Sequence, residues 1–354
     1  MKAKLYINRQ NLKENIEYIR NKIGNRKIIA MVKANAYGTG DTLVAQELQN
    51  IGVDAFGVAN IEEAKRIRQA GIKGMILVTC VVYTDELKEA IANDISMSIS
   101  DIEELKYIDE EAKRQSKVAK LHIKVDTGMT RLGFTPENVL AAIKEIEKYE
   151  NIELEGIYTH LSCADSDEEY TLDQIRIFRE TVEDAKSMVD FKYIHILNSD
   201  GTEMYTDEPQ IDTHVRVGIS MYGYSKNMQP ITKLTAPVIH INNIDKYTKV
   251  GYSGTYIAKP NTKIAVVKIG YADGLSRCLS NNLSVVVNGV ECEQVGNICM
   301  DMMMIDVTDA PVSIGDEVVI WNYTNDLKDI AKLSHKIVYE VISNLGDRIE
   351  RIVE

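Results

Sequence analysis

Long apolar runs are missing from this chain of 354 residues. None reaches the roughly 18–20 residues that cross a bilayer. The longest, Met75 to Tyr83, suits a buried strand, so no membrane-spanning segment is expected. Cysteine is sparse: Cys80, Cys163, Cys278, Cys292 and Cys299 are an odd number, widely scattered, with no CxxC pair. That pattern argues against a disulfide framework or a zinc cage, so no metal is expected, and it suits a reducing cytoplasm. Positive charge is in deficit as well. Against 53 acidic side chains stand 41 basic ones, a net charge of -12 that leaves phosphate repulsion uncompensated. A general affinity for nucleic acid or anionic membrane is therefore not expected. The first residues, Met1-Lys2-Ala3-Lys4, run straight into Leu5-Tyr6-Ile7 without the apolar core of a signal peptide.

What is present is ordinary globular material, 45% hydrophobic and 27% charged, at a length that exceeds one usual core. Two domains are expected. After an opening strand near Lys4–Asn8, Asn8 or Gln10-Asn11 starts a helix carrying Leu12, Ile16, Ile19 and Ile23. Eight β-rich runs follow. They are Ile28–Val32, Ala55–Ala59, Met75–Val78, Ser96–Ile99, Leu121–Val125, Leu154–Tyr158, Tyr193–Leu197 and Val215–Ile219. Helical stretches such as Leu43–Ile51, Glu62–Ala70, Glu86–Asn93, Ile102–Arg114 and Val139–Tyr149 lie between them. Continuous apolar strands alternating with amphipathic helices indicate a parallel sheet buried on both faces. Eight units in about 200 residues match a closed (β/α)8 barrel, with an open doubly wound sheet as the alternative. After Thr232 the pattern changes: Pro237–Ile241, Lys263–Val267, Leu283–Val287 and Met304–Val307 read as strands without intervening helices. Asn288-Gly289 is a hairpin signal, and a last helix is expected from Leu327 to about Leu345, stopped by Gly346. The fold expected is thus α/β: a TIM-like barrel over residues 9–232 and a mainly β domain over 233–354 with residues 1–8.

In such a barrel, reactive groups gather where strands end. Lys33 closes the run Ile28–Val32. It is either a lysine whose head snorkels to water or a buried amine of lowered pKa that condenses with a carbonyl. Lys124-Val125-Asp126-Thr127-Gly128-Met129-Thr130-Arg131 ends another strand. Arg131 is either a fork for a substrate carboxylate or a surface ion pair with Asp126. His160 follows Ile157-Tyr158-Thr159 and either stacks on a ring or fills the core. Asn198-Ser199 and Gly218-Ile219 offer a hydroxyl and backbone N–H groups of the kind that bind phosphate. In the β domain, Gly270-Tyr271-Ala272-Asp273-Gly274 is a good turn, and a phenol there needs cationic neighbours to act as a base. Gly296 to Asp301 reads equally as a strand with a buried thiol.

Taken in order, these segments resemble the alanine racemase family. The resemblance runs from Lys4 to about Arg351. It rests most on Val32-Lys33-Ala34-Asn35-Ala36-Tyr37-Gly38, Lys124–Met129 with Arg131, Gly270–Gly274 and Cys299-Met300-Asp301. It implies an amino-acid racemase that uses pyridoxal 5'-phosphate, works as a homodimer with shared sites and acts on a small amino acid, supplying D-alanine as a cell-wall precursor. Lys33 is implied as the cofactor-bearing lysine and first base, and Tyr271 of the partner subunit as the second. Arg131 and Met300 are implied at the substrate, and Lys124 as a carbamylated lysine that holds Arg131. Tyr37, Ser199, Gly218, Ile219 and Tyr339 are implied at the phosphate, His160 on the ring and Arg216 at the ring nitrogen.

The chain departs from the family pattern at several positions. Thr39 replaces the usual His after Tyr-Gly, and Thr130 the Gly before the arginine. Val217 replaces a proline, Asp200-Gly201 replace alanines, and Asn297 replaces an arginine. Proton-transfer groups are untouched; the phosphate surroundings and the access channel are not. The rival readings are a serine racemase of the vancomycin-resistance type, a noncatalytic pyridoxal-phosphate carrier and a basic amino-acid decarboxylase. Tyr339 favours alanine over serine, because its phenol restricts room for a hydroxymethyl group.

Overall fold

The computed structural model describes residues 1–208, 211–324 and 326–354. Strand β1 (Lys4–Ile7) leads into helix α1 (Arg9–Ile23). Asn8 starts that helix by accepting the Asn11 backbone N–H on its side chain at 2.9 Å, which satisfies one orphan donor of the first turn. Leu12, Ile16, Ile19 and Ile23 then fall on one buried face.

Eight short strands follow: β2 (Lys27–Met31), β3 (Ala55–Val58), β4 (Met75–Val78), β5 (Ser96–Ile99), β6 (Ala119–Lys124), β7 (Ile152–Tyr158), β8 (Tyr193–His195) and β9 (His214–Val217). Among them run α2 (Lys33–Tyr37), α3 (Asp41–Asn50), α4 (Ile61–Gln69), α5 (Leu87–Ala92), α6 (Leu105–Arg114), α7 (Val139–Ile146), α8 (Glu168–Ala185) and α9 (Ser199–Met204). Each strand pairs in parallel with the next, and β9 pairs back onto β2 with Lys27 opposite His214 and Ala30 opposite Val217. The sheet is therefore a closed barrel, and the open alternative is excluded. Closure buries both faces of every strand, which is why the strands read as apolar runs rather than as alternating patterns. Helix α6 starts at Leu105, three residues inside the expected Ile102, whose side chain stays exposed.

The rest of the chain is mainly β. Its strands are β10 (Thr232–Ile244), β11 (Thr248–Val250), β12 (Tyr256–Ala258), β13 (Thr262–Val267), β14 (Ser284–Val287), β15 (Val290–Glu293), β16 (Met303–Asp306), β17 (Glu317–Trp321) and β18 (Glu350–Val353). The main sheet orders as β15-β14-β17-β10-β1-β18, with β13 added along β10 and β16 along β13, while β11 and β12 pair separately. The chain's first strand thus lies antiparallel to β10 and parallel to its last, β18. Asn288 and Gly289 carry φ of +49° and +80°, the left-handed pair that a two-residue hairpin requires.

One expectation fails. The last helix is two, α10 (Asp326–Leu333) and α11 (Val338–Ser343). His335 adopts φ +54°, and the N–H groups of His335 and Lys336 turn back to the Lys332 and Ala331 carbonyls, closing α10 as a glycine would. The apolar positions also pause between Ala331 and Val338, apart from the exposed Leu333 and Ile337, so no continuous stripe holds one helix together. No helix among the described residues is long and apolar enough to cross a membrane.

Candidate active site

A cavity of about 380 Å3 opens at the C-terminal ends of the barrel strands. It is lined by Lys33, Tyr37, Lys124, Arg131, His160, Ser199, Arg216, Gly218, Ile219 and Tyr339. A wider depression of about 940 Å3 lies at the opposite end, around the strand starts Lys27, Met75 and His214. Strand polarity favours the first as the reactive end, since barrel chemistry is built on the loops that follow the strands.

Lys33 leaves β2 into a turn of unusual hand. Ala34, Asn35 and Ala36 have φ/ψ of 52°/51°, 54°/47° and 50°/54°, and Tyr37 has φ 54°. Four successive non-glycine residues in the left-handed region cost about 1–2 kcal/mol each. Local bonds offset that strain. The Glu63 carboxylate accepts the N–H groups of Ala34 and Ala59, both at 2.8 Å. Gly38 and Gly40 donate to the Ala34 and Asn35 carbonyls at 2.8 and 2.9 Å, and buried Thr39 donates its hydroxyl to Ala36. Arg351 Nε, from β18, reaches the Gly38 carbonyl at 2.9 Å. Gly38 is required here: its φ is +82°, and a Cβ would stand 2.1 Å from the Ile342 carbonyl oxygen of α11. Lys33 is thereby aimed across the cavity by a rigid turn rather than a flexible loop. Burial holds its amine below the ordinary lysine range, and Arg131 and Arg216 push the same way.

The cationic wall is buried at Arg216 and Lys124, while Arg131 is exposed. Arg216 on β9 is 4% exposed, and its Nη atoms donate to the His195, Thr159 and Ile196 carbonyls at 2.8, 2.6 and 3.1 Å, and to His195 Nδ1 and His160 Nδ1 at 2.9 and 3.3 Å. Burial and the Arg216, Lys124, Arg131 and Lys33 charges drive His160 down to about 2, so its ring is neutral. Lys124, at the end of β6, lies 4.9 Å above the Tyr158 ring. Burial, then Arg216 and Arg131, bring its amine down to about 7. Arg131 makes no ion pair with Asp126. That carboxylate instead accepts the N–H groups of Gly128 and Thr130 at 3.0 and 3.1 Å, and burial of its charge is outweighed by these together with the Met129 and Arg131 backbone N–H groups, which lower its pKa. Thr130 sits at φ +55°, a position glycine would fill without strain.

On the other side, phenols and glycine form a cradle. Ser199 Oγ receives the Gly218 N–H at 3.0 Å and the Ser220 N–H at 3.4 Å. A Cβ on Gly218 would stand 2.4 Å from Tyr37 Oη, so the phenol fills the space the glycine leaves. Tyr37 is pushed up to about 12 by burial, and Tyr339 is raised by burial and by nearby Asp200 and Tyr37, which keeps both as O–H donors.

Tyr271 and Met300 do not line this cavity; they are 43% and 52% exposed. The segment 296–301 is a loop rather than a strand, and Cys299 is only half-buried. The two loops are strapped together: the Tyr271 and Ala272 N–H groups donate to the Cys299 and Met300 carbonyls at 3.0 and 2.9 Å. Arg348 bridges Asp273 and Asp301 at 2.9 and 2.7 Å. Gly270 permits that approach, since a Cβ would lie 2.3 Å from the Cys299 oxygen. Exposed Tyr252 and Met302 add to an apolar surface on the same domain.

The model of the alanine racemase N-terminal domain matches residues 7–226, and that of the alanine racemase C-terminal domain matches residues 231–353. The chain belongs to the alanine racemase family. An alanine racemase of Methanococcus maripaludis is 38% identical, with 96% of this chain and 95% of that one covered. One of Fusobacterium nucleatum subsp. nucleatum is 35% identical over 100% of both chains. Among solved structures, an alanine racemase of Clostridium difficile 630 superposes with a TM-score of 0.93 at 32% identity, covering 100% of this chain and 96% of that one. The same racemase in complex with cycloserine gives 0.91 at 30% identity over 99% and 94%. This chain is therefore an amino-acid racemase of the family, with a TIM-like barrel and a mainly β C-terminal domain.

Several cavity residues were not singled out from the sequence: Met31, Thr79, Cys80, Leu132 and Tyr158. Thr79 and Cys80 directly follow β4, so the rule that flagged Lys33 applied to them equally. Glu63 carried no such signal, because a glutamate early in a helix is usually solvated.

Proposed function

We propose that this racemase interconverts L- and D-alanine on pyridoxal phosphate by moving the α-proton between two bases on opposite faces, in the cytoplasm. The reading rests on one observation: an amine of lowered pKa, a neutral imidazole, a buried guanidinium and a cradle of hydroxyl and N–H groups converge on a single cavity. Those groups fit the cofactor. Lys33 would carry it, His160 would cover its ring and Arg216 would face its ring nitrogen. Tyr37, Ser199, Gly218, Ile219 and Tyr339 would hold its phosphate. When bound, the cofactor supplies the electron sink that makes the α-proton of an amino acid acidic.

The chain's own groups do the rest. Lys33 Nζ moves a proton on one face of the substrate, and Tyr271 of the partner subunit moves it on the other. Arg131 takes the substrate carboxylate with its planar fork, and Met300 of the partner subunit limits the side-chain pocket. Arg216 keeps its charge, with its pKa brought to about 10 by burial. It therefore offers the ring nitrogen a donor rather than a carboxylate. Lys124 is read as carbamylated. The neutral fraction of its amine can add carbon dioxide and lose a proton, which places an anion beside Arg131 and Arg216 where an ammonium would be repelled. The exposed apolar surface around Tyr271 and Met300 supports a homodimer in which each β domain completes the other's cavity. We read the two domains as 9–232 and 233–354 with 1–8.

Coupled assays with L-Ala, D-Ala, L-Ser and ornithine test this function. Rapid turnover of both alanines is expected, with serine slower, since one added hydroxyl is discriminated by only about 1–3 kcal/mol. Faster racemisation of serine, or carbon dioxide release from ornithine, overturns the reading.

A further inference from the structure

A line of buried polar side chains crosses the barrel interior beneath the cavity. Glu155, His122, His195 and Arg216 stand on β7, β6, β8 and β9 and are 4%, 0%, 0% and 4% exposed. Glu155 Oε1 is 3.2 Å from His122 Nε2, His122 Nδ1 is 3.0 Å from His195 Nε2, and His195 Nδ1 is 2.9 Å from Arg216 Nη1. Ser96 on β5 donates its hydroxyl to the same glutamate oxygen.

The backbone is shaped for this line. Pairing of β6 with β7 jumps from Leu121 opposite Leu154 to His122 opposite Gly156, leaving Glu155 as an extra residue. Strict alternation would face Glu155 away from the barrel interior; the bulge turns it in. Gly156 makes room for the imidazole, since a Cβ there would lie 2.3 Å from His122 Nδ1.

Both ends of the line impose the same proton order. A guanidinium only donates, so His195 Nδ1 accepts and its Nε2–H points to His122. A carboxylate only accepts, so His122 Nε2–H points to Glu155 and its Nδ1 receives His195. Burial lowers the pKa of both imidazoles, which favours their neutral forms. Burial works against the Glu155 carboxylate, but the bonds from His122 and Ser96 and the nearby Lys120 charge outweigh it and hold the carboxyl below its ordinary range. The groups that face the line work in the same direction. Tyr193 and Tyr158 pack on the two rings at 5.3 and 4.7 Å, and Lys192, Lys124, His214 and Arg216 add only positive or neutral neighbours. Among the described residues no carboxylate pairs directly with Arg216, and its two Nη atoms are engaged by protein acceptors while Nε has no protein partner.

We propose that Glu155, acting through His122 and His195, is a positioning residue that offsets the buried Arg216 charge and locks its guanidinium so that Nε–H is the donor left for the cavity. The target of that donor, the cofactor ring nitrogen, rests on the function proposed above; the relay itself does not.

The test uses nitrogen-15 histidine labelling of the full-length protein. His122 and His195 are expected as single Nε2–H tautomers, unmoved between about pH 5 and 8. Glu155→Gln keeps an acceptor and should keep both tautomers. Glu155→Leu should mix them, shift the visible absorbance maximum of bound pyridoxal phosphate and weaken its binding about ten-fold. An Nδ1–H tautomer or an imidazolium at either residue in the unaltered protein overturns the relay, whether or not the leucine variant folds. Unchanged tautomers and absorbance in Glu155→Leu, or altered tautomers in Glu155→Gln, overturn it too. A protein that takes up no pyridoxal phosphate refutes the proposed function alone, because the tautomer measurement needs no cofactor.

Discussion

Glu63 accepts the Ala34 N–H at 2.8 Å, and this bond fastens helix α4 to the left-handed turn that aims Lys33. Removing it leaves two part-buried backbone donors without that acceptor, beside an already strained segment. Glu63→Ala should lower stability by roughly 1–3 kcal/mol, read as a lower urea midpoint at unchanged m. It should also reduce the fraction of protein carrying pyridoxal phosphate on Lys33, read from visible absorbance. Glu63→Gln retains one acceptor and should lose less of both.

The contact between Gly218 and Tyr37 leads to a test of the phosphate cradle. Gly218→Ala inserts a methyl group where Tyr37 Oη now lies. Overpacking of this kind costs about 1–3 kcal/mol, equivalent to roughly 5- to 150-fold in cofactor affinity if the phenol must move. Equilibrium dialysis of pyridoxal phosphate against the apoprotein measures it. Unchanged affinity would place the phosphate elsewhere.

Lys124 should make stability depend on pH in an identifiable direction. Its folded pKa is brought to about 7, below the ~10.4 of a lysine in an unfolded chain. Below about pH 7 both states carry the proton, and the cost of burying the charge is fully present. Between about pH 7 and 10 the unfolded chain binds the proton and the folded one does not, so stability rises with pH. In buffers free of carbon dioxide, Lys124→Met should stabilise the protein near pH 6 and flatten this rise. Carbon dioxide, which adds to the neutral amine with loss of a proton, should instead steepen this rise for the unaltered protein, with a carbamate signal in carbon-13 spectra.

The two proposed bases should separate cleanly. Lys33→Ala should abolish cofactor absorbance and turnover together. Tyr271→Phe should retain the absorbance and lose interconversion by about 10²- to 10⁴-fold, the usual contribution of one positioned acid or base. Interconversion at full rate by Tyr271→Phe would refute the second base.

Much of this architecture is legible in the residues themselves. Parallel strands buried on both faces must be apolar along their length, so Ile28–Val32 and its seven counterparts stand out, and Lys33, Lys124, Arg131 and His160 are conspicuous as polar residues placed where such runs stop. What escapes is whatever depends on backbone shape. Nothing in Ala34-Asn35-Ala36 announces a left-handed turn, and nothing in Leu154-Glu155-Gly156 announces the bulge that turns a carboxylate into the barrel. His335 adopts the conformation expected of glycine and divides a helix that periodicity would join. His122 and His195 look like satisfied core histidines in the sequence, and only distances reveal that they form one line.

Sharing of the site between subunits is the central claim, and mixing two inactive variants tests it most directly. Lys33→Ala and Tyr271→Phe protein, co-expressed or reassociated, would form mixed dimers in which one cavity has both defects and the other has neither. About a quarter of unaltered turnover is expected from random pairing of a two-fold dimer. If the mixture stays as inactive as its components while mixed dimers are shown to form, Lys33 and Tyr271 do not meet across a subunit boundary.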